Sequence, residues 1–91
     1  MAIAMILEFP GGTQEQFEQV MVNLQLGAEG PVGQLFHVDG PIEGGWRVVD
    51  VWESQEAADT FFQEKLGRAM QQAGLTIPQP QVWPVQTMLH P

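Results

Sequence analysis

The sequence predicts an α+β fold in which strands and helices follow the order β-α-β-β-α-β, the split βαβ arrangement with both helices on one face of a four-stranded antiparallel sheet. Three observations lead there. From Gly45 to Ala73 (GWRVVDVWESQEAADTFFQEKLGRAMQQA) a strand, a helix cap and an amphipathic helix follow one another without a spacer. A shorter strand-cap-helix series opens the chain, ending its strand at Pro10-Gly11-Gly12 and starting its helix at Thr13. The 91 residues are too few to divide into two cores, so residues 1–91 are expected to form a single domain.

Residues 2–9 form an apolar run of strand length, with Ile3, Met5, Leu7 and Phe9 on one face and Ala4, Ile6 and Glu8 on the other. Thr13 and Gln16 have the spacing of a capping box, and Phe17, Val20, Met21 and Leu24 then make one apolar stripe that must lie on the sheet. Gln25 to Gly33, with Gly27, Gly30, Pro31 and Gly33, is expected to be a surface loop and a mobile rim. Gln34–Asp39 and Trp46–Glu53 read as a hairpin joined by a six-residue turn, Gly40–Gly45.

Ser54 caps a second helix that buries Ala58, Phe61, Phe62, Leu66, Ala69, Met70 and Ala73 and stops at Gly74. Gly67 inside it costs about 1 kcal/mol relative to alanine, and a kink or a break into two short helices is expected there. The tail from Thr76 to Leu89 is expected to be the fourth strand, with Trp83, Val85 and Leu89 on one face and Val82 and Met88 on the other. Pro84 has no amide proton for a ladder, which places that strand at an edge or gives it a bulge. Right-handed crossovers leave strands one and three central. Since the helices cover one face and the strands are apolar on both, a second copy is expected to pack on the open face.

Composition narrows the function classes. Hydrophobic residues make up 44% and charged ones 15%, a globular balance. A formal charge of -8, with Arg47, Lys65 and Arg68 as the basic residues, repels nucleic acid and anionic membrane surfaces. The absence of cysteine removes disulfides and thiolate chemistry and suits a cytoplasmic location. The opening MAIAMILEF has no basic n-region or A-x-A site, and no apolar run approaches the ~20 residues that cross a bilayer.

The run VVDVWESQEAADTFF, with its W-E-S-x-E-A-x-x-x-F junction, resembles the dimeric α+β barrel superfamily, and within it the antibiotic biosynthesis monooxygenase-like domains. The resemblance covers nearly the whole chain. It implies a ferredoxin-like subunit, a homodimer whose two sheets close into a barrel, and a ligand cavity between sheet and helices. Its members span cofactor-free oxidation of aromatic polyketides by oxygen, haem degradation, lactone isomerisation and simple binding, so fold analogy does not select among them. Many carry a histidine after the E-A-x-x-x-F pattern. Here that region holds Lys65, Leu66 and Gly67, which argues against a haem role.

Among the residues themselves, His37 and Asp50 stand on strands that should pair. In an odd register they share a face and lie diagonally about 7 to 8 Å apart. A carboxylate beside an imidazole would make His37 a general base, with Asp50 as its partner; the alternative is a hydrogen-bonded histidine at the sheet margin or a dimer interface. Trp46 and Trp52 flank Asp50 on one face of their strand and suit a slot for a flat aromatic ligand, or else are core. Arg47 is a substrate-binding candidate if it meets an anion, or a structural partner of Glu8, Glu53 or an acid of a second copy. His90, next to the last residue, is expected to be solvated.

No H-x-x-x-H, EF-hand, phosphate-loop, G-x-G-x-x-G or G-x-S-x-G spacing occurs, so no metal or cofactor is expected. Two functional classes follow: a homodimer that binds a hydrophobic or aromatic small molecule, as a cofactor-independent monooxygenase if it is an enzyme; or a non-enzymatic ligand-binding or dimerisation module. An enclosed space reached by His37 favours the first, and tight packing around both indoles the second.

Overall fold

The computed structural model describes residues 1–27 and 30–91. Strand β1 (Ile3–Pro10) leads into helix α1 (Gln14–Leu24), followed by β2 (Gln34–Ile42) and β3 (Gly45–Trp52). A second helical run comprises α2 (Gln55–Phe61), a π-helical turn (Phe62–Leu66) and α3 (Gly67–Gln72), and the short β4 (Gln81–Pro84) comes last. The strands form one antiparallel sheet in the order β2-β3-β1-β4, with the first and third strands central as expected.

The two faces of β1 and β3 differ as their alternation predicts. Ile3, Met5, Leu7 and Phe9 pair with Trp52, Asp50, Val48 and Trp46, and all eight are buried beneath the helices. Phe17 and Val20 from α1, together with Ala58, Leu66, Ala69 and Met70 from the second helical run, complete the core. The open face carries Ile6, Val49, Val51, Phe36, Val38 and Trp83 in register with one another. Phe36, Val38 and Trp83 are exposed there. At one end of this face Arg47 lies opposite Glu8 and is hydrogen-bonded to it, Nε to Oε2 at 2.8 Å.

Both helix starts follow their caps. Thr13 accepts from the Gln16 amide at 3.2 Å while the Gln16 side chain accepts from the Thr13 amide at 3.1 Å. Ser54 accepts from the Ala57 amide at 3.1 Å. The second run ends on Gly74 at φ +79°, where the Leu75 and Gly74 amides return to the Met70 and Gln71 carbonyls at 2.9 and 3.1 Å.

Several local expectations are corrected. The hairpin turn is the two residues Glu43-Gly44, with Gly44 at φ +78°. β2 continues through Gly40 and Pro41 because it is an edge strand, where a proline need not break a ladder. The second helical run is divided as expected into two short α-helices, α3 beginning at Gly67, but the division is a π turn between them. In that turn the Gly67 amide bonds to the Phe62 carbonyl, and φ/ψ stay right-handed helical on both sides.

A Cβ at Gly67 would stand 3.2 Å from that carbonyl oxygen, a tight contact. Met21 is 55% exposed, so the α1 stripe narrows to Phe17 and Val20 with Leu24 at its margin. The fourth strand is four residues long, because Pro78 and Pro80 remove donors before it. Leu75 and Ile77 pack on the core from an irregular segment instead. Within the expected loop, residues 28 and 29 lie outside the described residues, while Gln25, Gly30 and Gly33 adopt positive φ. Among the described residues no helix is long and apolar enough to cross a membrane.

Candidate functional site

The two-residue turn fixes the hairpin register and sets His37 directly opposite Asp50, closer than the diagonal expected from sequence. Both project to the helix-covered face, alongside Trp46, Val48 and Asp39. His37 Nδ1 lies 2.6 Å from Asp50 Oδ1, and His37 Nε2 lies 2.5 Å from Asp39 Oδ2. The other Asp39 oxygen accepts from Trp46 Nε1 at 3.2 Å. Asp50 is buried at 4% exposure, whereas the His37 side chain is 37% exposed.

The electrostatics follow from this geometry. The hydrogen bond to Asp50 raises the His37 pKa most strongly; burial opposes it, and the bond to Asp39 and the charges of both carboxylates add to the rise, which carries the value to about 9. At neutral pH the ring is therefore an imidazolium donating both N–H groups. Asp39 and Asp50 flank opposite nitrogens of one ring and do not converge on a common point. Among the described residues no group of three such side chains is placed to hold a metal ion.

These residues line one side of a cleft of about 520 Å³ between the sheet and the helices, within the ~300–1,000 Å³ typical of small-molecule sites. Trp46, Val48 and Leu7 belong to its sheet wall, Phe17 and Met21 come from α1, and Phe61, Leu66 and Met70 come from the second helical run. Phe17 stacks on Trp46 with centroids 5.4 Å apart and planes at 11°. The cleft is thus mainly apolar and aromatic, with one charged, hydrogen-bonded cluster on its wall.

Of the residues singled out in the sequence, His37, Asp50 and Trp46 come together here. Trp52 does not: it is 0% exposed, packs against Phe61 at 5.4 Å, and its Nε1 has no hydrogen-bond partner among the described residues. Arg47 is on the opposite face, paired with Glu8, because alternation along β3 sends odd and even positions to different sides. Asp39 was missed. Its signal was the i, i+2 spacing from His37, which puts both on one face of β2, but the strand was expected to end at Asp39.

No family model matches the sequence. No curated protein matches it either. Solved structures do match in three dimensions. A candidate antibiotic biosynthesis monooxygenase from Chloroflexus aurantiacus superposes with a TM-score of 0.69 at 15% identity, covering 99% of this chain and 98% of that one. A variant of SnoaB, a cofactor-independent oxygenase from Streptomyces nogalater, gives 0.67 at 13% identity over 97% of this chain and 96% of that one. Rv0793 from Mycobacterium tuberculosis gives 0.68 at 15% identity over 99% and 100%. The likeness is one of backbone course over nearly the full length, and the chain has the ferredoxin-like α+β fold of the antibiotic biosynthesis monooxygenase-like proteins.

Proposed function

We propose that the chain binds a planar hydrophobic or aromatic molecule in the cleft and oxidises it with dioxygen without a cofactor, as a homodimer joined through the open sheet face. The observation that carries this reading is the aromatic cleft of about 520 Å³ with the His37–Asp50 pair on its wall. The description of SnoaB, which shares the fold, as a cofactor-independent oxygenase adds support. The dimer reading rests on the exposed Phe36, Val38 and Trp83 on a sheet face that no helix covers, since isolated domains seldom leave such a face in water.

In this mechanism Trp46 and Phe17 hold the ring, and His37 in its neutral form, with the Asp39 carboxylate turned away from Nε2, takes a proton there from an acidic ring carbon while Asp50 fixes the imidazole through Nδ1. Dioxygen adds to the carbanion, and the resulting hydroperoxide loses water to leave a carbonyl, so that a CH₂ and O₂ become C=O and H₂O. Because His37 is held charged up to about pH 9, the rate should rise about tenfold per pH unit below that value. Oxygen uptake against a panel of hydroxyaromatics tests the enzyme reading, with calorimetry on the same compounds. Binding without oxygen uptake would leave a ligand-binding module, and heatless titrations throughout would remove the cleft from consideration.

A further inference from the structure

We infer that Asp39 is a positioning residue of this cleft, acting through His37 and Trp46: one carboxylate ties the imidazole and the indole into a single wall. The functional part of this inference rests on the reading of the cleft as a ligand site. Its geometry is independent of that reading. Oδ2 is 2.5 Å from His37 Nε2 and Oδ1 accepts from Trp46 Nε1 at 3.2 Å, so both oxygens are engaged, each with a different residue. His37 and Asp39 are two apart on β2, Asp39 pairs with Val48 on β3, and Trp46 is two residues before Val48 on the same face. The bridge therefore spans both strands of the hairpin.

Asp39 also decides what His37 can do. Asp50 already holds Nδ1, so Nε2 is the remaining ring nitrogen that can meet a ligand, and Asp39 occupies it. Around the imidazole, β3 contributes Asp50, β2 contributes Asp39, and α1 contributes Glu18 to the same cleft. β1 and the second helical run bring only Leu7, Phe61, Leu66 and Met70. Asp39 is thus the ionisable group that can be altered at Nε2 without disturbing the buried bond to Asp50.

Two substitutions separate its roles. In Asp39→Asn the amide oxygen can still accept from Trp46, while the amide nitrogen can donate to Nε2 only when the imidazole is neutral. In Asp39→Ala both bonds are lost. Imidazole NMR titration of the full-length chain should show His37 binding its proton at least about tenfold more weakly in both variants. The Trp46 indole N–H resonance, assigned with Trp46→Phe, should keep its position in Asp39→Asn and move in Asp39→Ala.

An unchanged His37 midpoint in Asp39→Asn, or an unmoved indole signal in Asp39→Ala, overturns the inference. Neither readout needs a ligand. If both behave as expected while no ring compound binds, the proposed function fails and the Asp39 bridge stands. With a turned-over substrate, the acid limb of the Asp39→Asn pH–rate profile should shift to lower pH, which a purely structural role would not cause.

Discussion

Stability should fall between pH 7 and 10 because of His37 alone. Its pKa is raised from 6.5 in the unfolded chain to about 9 in the fold, so the folded state binds the proton more tightly. The contribution is fully present below pH 6.5 and is lost as pH rises through about 9. The difference of about 2.5 units corresponds to at most about 3.4 kcal/mol at 1.36 kcal/mol per unit. The ring is 37% exposed, and solvent screening reduces the expected effect to about 1–2 kcal/mol.

The chain has no tyrosine and no cysteine to titrate in this pH window. Urea unfolding at pH 6 and pH 10 is the assay. With a slope of about 1 kcal/mol/M, the midpoint should drop by about 1–2 M. The double variant His37→Asn/Asp50→Asn removes the pair without stranding a buried charge, and its midpoint should be nearly flat across the same range. A wild-type midpoint that does not move, or a double variant that falls equally, would refute the assignment of the imidazolium to this cluster.

Other substitutions test the remaining structure. Arg47→Ala should cost less than about 1 kcal/mol, the usual worth of an exposed ion pair, and leave ligand affinity in calorimetry unchanged, since Arg47 is on the sheet face away from the cleft. Val38→Glu places a charge on the edge strand of the open apolar face; sedimentation should show a dimer for the wild type and a single subunit for the variant at the same concentration. Thr13→Ala breaks the capping box and should cost about 1 kcal/mol, seen as a melting temperature about 4–8 °C lower.

The element order, strand order and both helix caps were legible in the sequence because they depend on local chemistry: alternation in residues 3–9 and 46–52, hydroxyls at Thr13 and Ser54, and Gly74 as a stop. What failed depended on neighbours. Pro41 looks like a strand breaker until β2 is known to be an edge. Gly67 marks where the helical run divides, but that the division is a π turn follows only from its amide reaching Phe62. The same limit shaped the site. His37 and Asp50 were recognisable as potential partners, but a turn four residues too long hid their direct pairing and left Asp39 as the last residue of its strand. Trp52 and Trp46 have the same periodicity, and only the helix lying over each decides which is sealed and which meets the cleft.

The three indoles have three different surroundings: Trp52 is enclosed with an N–H unpartnered among the described residues, Trp46 is bonded to Asp39 beside the cleft, and Trp83 stands on the uncovered side of the sheet. Intrinsic fluorescence is therefore a composite of a dry emitter, a polar-bonded one and a wetted one. Replacing two of them by phenylalanine in turn would convert a single spectrum into separate gauges of unfolding, of cleft occupancy and of contact between subunits, with no dye attached.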